Sequence, residues 1–365
     1  MADYAKINDV PAANIAKVNN VAKANIANVS ASTTPSSGAT QWVLVGDDGA
    51  VGYAGTDLTS WTTYANDPEN ENYKAITYGK DGSGNPRWVI VWEDDDREIQ
   101  YSDDVTDPDS WVDINISPDL ALWDCSYSAG AGVWVAVGKM ASGAQKIYRS
   151  TDGASWAAVD VSGLSGIDTN VSKGVASDGQ NTFMFVQKDR VYKSTDSGSS
   201  WALTHDFNDS AFTLRNIEYT NSTWIVMYQD TTAGGAMVST CADSDTTDWS
   251  TGQDTDVGAT AQRFACGGGK CIFVLSNEKR VATVSGKTCT LETKEDNALP
   301  SSSSSAQNIA TDGNGTWIVV GTTGDISTTV DDGANWTLSV DGLDITGGDS
   351  NEKLKDVAAN VIMPV

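Results

Sequence analysis

Seven short apolar runs decide the fold: Trp42-Val-Leu-Val45, Trp88-Val-Ile-Val91, Trp134-Val-Ala-Val137, Phe183-Met-Phe-Val186, Trp224-Ile-Val-Met227, Cys271-Ile-Phe-Val274 and Trp317-Ile-Val-Val320. Their starts lie 46, 46, 49, 41, 47 and 46 residues apart. A second tryptophan closes each repeat at a looser distance: Trp61, Trp111, Trp156, Trp201, Trp249 and Trp336. Only the sixth repeat lacks one, with Leu291 near the expected place. A period of this size marks a repeat architecture. The runs are continuous rather than alternating, so each strand must be covered on both faces.

Four-stranded antiparallel sheets stacked radially meet that demand, at roughly 40–50 residues per sheet. In the second repeat the strands read as Tyr73–Gly79, Arg87–Glu93, Glu98–Ser102 and Ser110–Ile116, named A (innermost) to D. The first run has no A strand before it, only the Ser/Thr/Pro/Gly stretch Ser30–Thr40. An orphan at the other end, Leu354-Lys-Asp-Val-Ala-Ala-Asn360, matches A strands such as Gln307-Asn-Ile-Ala-Thr311. The expected fold is therefore all-β: a seven-bladed β-propeller whose first blade is built from both chain ends, leaving no free edge. The expected organisation is an arm over 1–30, a linker over 31–40 and a propeller over 41–365.

Composition narrows the function. Lys+Arg number 23 against 49 Asp+Glu, a formal charge of −26. Such a chain is repelled by phosphate backbones and anionic membranes, so neither nucleic acid nor lipid is expected as a partner. His205 is the single histidine, which leaves few options for a His-ligated metal or a catalytic triad. No apolar run approaches a bilayer span, and MADYAKINDV has no signal-peptide core. Five cysteines, an odd and low count, argue against a disulfide scaffold. Cys266 and Cys271 flank a Gly-Gly-Gly-Lys turn and can approach bonding distance, although assembly in a reducing cytoplasm favours free thiols. The acidic loops Glu93-Asp-Asp-Asp96, Asp243-Ser-Asp245 and Asp254-Thr-Asp256 lack the spacing of a calcium loop and read as solvated surface. No cofactor is expected.

Between strands C and D lie Ser194-Thr-Asp196-Ser-Gly198-Ser-Ser-Trp201, Thr329-Val-Asp331-Asp-Gly333-Ala-Asn-Trp336 and the shorter Ser150-Thr-Asp152-Gly153-Ala-Ser-Trp156. These resemble the Asp-box of sialidase-like propellers. The resemblance implies a structural turn away from any active site: Asp accepts backbone N–H bonds, Gly takes positive φ and Trp plugs the gap between blades. Sialidases also carry an arginine triad and an Arg-Ile-Pro motif. Here only seven arginines exist and that motif is absent, while Glu218-Tyr219 is a loose echo of the Tyr/Glu pair. Glycosidase activity is not expected.

Aligning the A strands on Ile76, Cys125, Val175, Ile217, Ala265, Ile309 and Val357 puts Lys74, Trp123, Lys173, Arg215, Arg263, Gln307 and Lys355 in one column. Five of the seven are basic in an acidic chain. Two readings stand: a ring that focuses potential on a small anion or a carboxylate-bearing partner, or cations neutralised by acids of neighbouring loops. Leu354-Lys-Asp-Val-Ala-Ala also resembles A strands of photosystem II assembly-factor propellers, whose basic patch faces a partner protein. That likeness implies an intracellular assembly factor as an alternative function.

Residues 1–30 repeat with period 11: Ala5-Lys-Ile-Asn8, Ala16-Lys-Val-Asn19 and Ala27-Asn-Val-Ser30. On a helix, Ile7, Val10, Ile15, Val18, Val21, Ile26 and Val29 form one stripe, although Pro11 and the Asn-Asp and Asn-Asn pairs break it into pieces. The arm is expected to be partly helical or extended, and to dock on a partner. Its Lys-(Ile/Val)-Asn and Ala-Asn-Ile units resemble arms on structural proteins of tailed bacteriophages. The resemblance implies a virion protein whose arm anchors a propeller head, in a tail or tail fibre active in host adsorption or in capsid decoration. Its partners are other virion proteins, a host surface glycan or protein, and possible further copies of itself. A glycan-binding or glycan-active propeller is the other alternative.

Overall fold

The computed structural model describes residues 40–365, apart from 67–71, 95–97, 117–119, 141, 168, 171, 233–234, 251–252, 255–260, 276–278, 286, 292–305, 344, 346–352 and 362–365. Of residues 1–39 it describes four two-residue strands. The chain separates into two compact units, Met1–Ala39 and Thr40–Val365.

The larger unit is a seven-bladed propeller with four antiparallel strands in each blade. Blade 1 takes its strands A to D from Leu354–Ala359, Trp42–Gly46, Ala50–Ala54 and Thr62–Ala65. Blade 2 is Tyr73–Lys80, Pro86–Asp94, Ile99–Ser102 and Val112–Ile114; blade 3 is Leu120–Ser128, Val133–Met140, Gln145–Ser150 and Trp156–Val159. Blade 4 is Ser172–Ser177, Phe183–Gln187, Arg190–Ser194 and Ala202–Asp206; blade 5 is Phe212–Thr220, Thr223–Asp230, Gly235–Ala242 and Gln253–Asp254. Blade 6 is Ala261–Gly267, Lys270–Leu275, Lys279–Ser285 and Thr288–Leu291; blade 7 is Ala306–Thr311, Trp317–Gly321, Ile326–Thr329 and Thr337–Val340.

The continuous apolar runs are explained by what each residue faces. Successive side chains on a strand point to opposite sides. In strand B of blade 1, Trp42 and Leu44 pack with Ile318 and Val320 of blade 7. Val43 and Val45 pack with Ile76, Trp88 and Ile90 of blade 2. Both faces are core, so no position in the run tolerates a polar residue.

The ring closes as expected. Leu354–Ala359 pairs with Trp42–Gly46 in the register Leu354↔Gly46, Asp356↔Val45, Val357↔Leu44, Ala358↔Val43 and Ala359↔Trp42. Asn360 N–H donates to Gln41 O, and Gln41 N–H to Asn360 Oδ1, each at 2.8 Å.

The Ser/Thr-x-Asp segments are tight turns between strands C and D. Asp196 Oδ1 accepts from Ser200 N–H at 2.8 Å and Ser194 Oγ accepts from Gly198 N–H at 2.9 Å. Asp331 and Asp152 repeat the pattern with Asn335 N–H and Ser155 N–H. Gly198 and Gly333 sit at φ 79° and 86°, and a Cβ there would meet Val135 and Ile272 of the neighbouring blade at 2.7 and 2.8 Å. The closing tryptophans share one bond even where the turn sequence has decayed. Trp61, Trp156, Trp201, Trp249 and Trp336 each donate from Nε1 to the carbonyl three residues earlier. Trp111 bonds the Tyr64 hydroxyl instead.

One expectation is corrected, and one of the two forms expected for the arm is seen. Cys266 and Cys271 oppose each other across the A–B hairpin of blade 6 and are joined by a disulfide, while Cys125, Cys241 and Cys289 are free and buried. In the smaller unit Lys6–Ile7 pairs with Val10–Pro11, and Lys17–Val18 with Val21–Ala22. Ile7, Val10, Val18 and Val21 are thus in extended ladders and not on a helical stripe. Ile15, Ile26 and Val29 lie outside the described residues.

Candidate functional site

Every A strand carries a β-bulge at the same depth. A bulge leaves one residue out of the ladder and bends the strand. The residues left out are Lys355, Lys74, Trp123, Lys173, Arg215, Gln262 and Gln307, in blade order. The basic column therefore lies on bulges, with one correction. Phe264 of blade 6 pairs with Phe273, as Ile217 of blade 5 pairs with Val226, so Phe264 and not Ala265 is the central apolar residue. Arg263 moves one place down the strand, and Gln262 takes its place in the column.

The next column inward then reads Ala75, Asp124, Gly174, Asn216, Arg263, Asn308 and Asp356. It is a set of clasps between blades. Asp356 accepts from Ile76 N–H of blade 2 at 2.8 Å and from Asn308 Nδ2 of blade 7 at 2.5 Å. Asp124 accepts from Val175 N–H of blade 4 at 2.9 Å, and Asn216 donates to Phe264 O of blade 6 at 3.0 Å. Gly174 has no side chain for good reason: a Cβ there would lie 2.7 Å from Asn216 Oδ1.

Asp124, Asn216, Arg263, Asn308 and Asp356 line a central cavity of about 290 Å³ that also reaches Glu218 and, near the A–B hairpins, Tyr78, Tyr127 and Tyr219. Each tyrosine leans on the run-opening tryptophan of its own blade, Trp88, Trp134 or Trp224, at 4.6–4.9 Å between rings. Burial pushes three carboxyl groups up: Asp124 to about 6, Asp356 to about 7 and Glu218 to about 8, with Arg263 opposing the shift in each case. Glu218 and Tyr219 are consecutive on one strand, and both line the cavity.

The five candidate cations have different fates. Lys355 pairs with Asp47 at 3.2 Å, and Lys74 lies over the Trp123 ring at 5.2 Å. Lys173 and Arg215 converge on Arg263, whose Nη1 donates to their backbone carbonyls at 2.7 and 3.1 Å. Burial and the neighbouring guanidinium groups of Arg215 and Arg263 push Lys173 down to about 8. Burial, with Arg263 beside it, also lowers Arg215. The column is therefore split: Lys355 is ion-paired, Lys74 lies against a ring, and Lys173 and Arg215 form one three-cation group with Arg263 beside the column, across blades 4, 5 and 6. Among the described residues, no group of three or more His, Cys, Asp or Glu side chains is gathered for a metal ion.

No protein-family model and no curated protein matches this chain. Solved structures do. YCF48 from Cyanidioschyzon merolae is similar at TM-score 0.54 and 13% identity, over 73% of this chain and 85% of that one. YCF48 bound to D1 peptide gives 0.53 and 13%, over 74% and 82%. PorZ, a surface component of the type-IX secretion system of Porphyromonas gingivalis, gives 0.52 and 11%, over 79% and 46%. These likenesses establish the propeller fold. At such identities they carry no activity across.

The clasp residues were missed by reading the sequence, although a signal existed. The residue before the central apolar position is Asp or Asn in four of seven A strands: Asp124, Asn216, Asn308 and Asp356. Acceptors recurring at a fixed place on the innermost strands are what inter-blade bonding requires.

Proposed function

We propose that this chain is a non-catalytic structural protein of a tailed-bacteriophage particle, with the N-terminal arm attaching a self-contained propeller head. The observation that carries this reading is the contrast between the two units. The propeller satisfies its own core and closes its own ring, whereas residues 1–39 form a separate compact unit with an 11-residue repeat. The Asp-box-like turns support a structural role, because their carboxylates are used within their own loops. The particle is the site of action, and host adsorption or capsid decoration is the task. Mass spectrometry of particles purified after lysis tests it: the chain should copurify at fixed stoichiometry with the major structural proteins. Its absence from washed particles contradicts the reading.

A second reading is favoured by one observation, the group Lys173, Arg215 and Arg263. A propeller that presents uncompensated cations suits an acidic client, and one propeller of similar fold has been solved as YCF48 bound to D1 peptide. On this reading the chain is an assembly factor, soluble in the lysate and missing from particles.

A further inference from the structure

We propose that Lys173 and Arg215, backed by Arg263, form a binding site for an oxyanion, the shared chemistry of phosphate, sulfate and carboxylate groups. This goes beyond attachment through the arm and does not depend on it. Three strands place the groups. The bulges at Ser172–Gly174 and Leu214–Asn216 set Lys173 and Arg215 outside their ladders on adjacent blades. The blade 6 bulge aims Arg263 at both of their carbonyls.

The electrostatics of the group are one-sided. Like charges brought together out of water repel, and a folded protein offsets this with acids or with a ligand. In a chain of formal charge −26, acids are the abundant resource. Yet among the described residues neither Lys173 nor Arg215 has a carboxylate at ion-pair distance, while Lys355 in the same column has Asp47. Both side chains are only part-buried, so a ligand can reach them. Arg215 Nε is buried without a hydrogen-bond partner, an unmet donor of the kind that needs an explanation. Arg263 lines the same cavity as Asp124, Glu218 and Asp356. Arg263 thus has carboxyl groups in its own cavity, whereas Lys173 and Arg215 have no carboxylate at ion-pair distance among the described residues. Planar and tetrahedral oxyanions are the ligands that a guanidinium and an ammonium group bind together through charge-assisted hydrogen bonds.

The test is calorimetry on the full-length protein with inorganic phosphate, sulfate and acetate at constant ionic strength, alongside Arg215→Gln, Lys173→Gln and the control Lys355→Gln. One site per chain is expected. Its affinity should fall at least about tenfold in either site variant, the loss expected for one charge-assisted bond, and should hold in the control. Binding should also weaken as pH rises through about 8, where Lys173 loses its proton. That readout needs no variant. A preference for acetate assigns the site to carboxylates, and a preference for phosphate or sulfate assigns it to their esters. Without anion, the double variant Lys173→Gln with Arg215→Gln should melt no lower than the parent, because repulsion has been removed. The proposal is overturned if no anion binds, if parent and variants bind alike, or if the double variant unfolds without anion.

Discussion

Removing the closing strand should unfold the ring and not merely trim it. Truncation after Ser350 deletes strand A of blade 1. Leu354 and Val357 are 0% and 3% exposed, and losing their burial costs about 3–6 kcal/mol. Asp356 leaves with them, so Ile76 N–H becomes an unmet donor at about 1–3 kcal/mol. The edge of Trp42–Gly46 is also opened, a template for pairing with other chains. The combined loss is comparable with the whole stability of a typical domain, about 5–15 kcal/mol. Size-exclusion chromatography and limited proteolysis at low protein concentration are the assays. Aggregation and rapid digestion are expected, and a synthetic peptide covering 351–365 should partly restore protection. A truncated protein that stays monomeric and melts at the parent temperature refutes the closure argument.

Trp201→Ala should cost about 3–5 kcal/mol, because the side chain is 8% exposed, meets Phe185 edge-on at 5.0 Å and bonds Gly198 O; denaturant titration measures it. Stability should fall as pH rises through about 6–8. The cavity carboxyls bind protons there in the folded state but not in the unfolded one, where they titrate near 4. Glu218→Gln should flatten that profile in thermal melts, whereas an unchanged slope removes the cavity as its cause. At the acid end the order reverses: the Thr329 hydroxyl and Asn335 hold Asp331 down at about 2, so this stabilisation is lost on acidification below about 4. Thiol counting on denatured, unreduced protein should find Cys125, Cys241 and Cys289 only, with two more thiols after reduction.

The architecture was legible because its cause is local and repeated. A run such as Trp42-Val-Leu-Val45 is apolar at every position since each neighbour blade covers alternate residues, and that pattern survives in sequence without any contact being known. The site was legible only in part. Arg263 was read one place out because Phe264 and Ala265 are both apolar, and composition alone does not reveal where a bulge skips a residue. The clasps were hidden for a different reason: Asp356 acts on Ile76, 280 residues away in sequence. The arm was ambiguous by arithmetic. An 11-residue period suits a helical stripe, but the described pieces of the arm, Lys6–Ile7 with Val10–Pro11 and Lys17–Val18 with Val21–Ala22, are short antiparallel ladders.

The central claim is that the arm attaches and the propeller stands alone. The direct measurement is the amount of protein retained on washed particles when full-length chain and a form beginning at Thr40 are supplied in equal amounts during assembly. The account predicts that the shorter form stays folded, soluble and monomeric but is missing from the particles. Incorporation of the shorter form at the full-length level contradicts it.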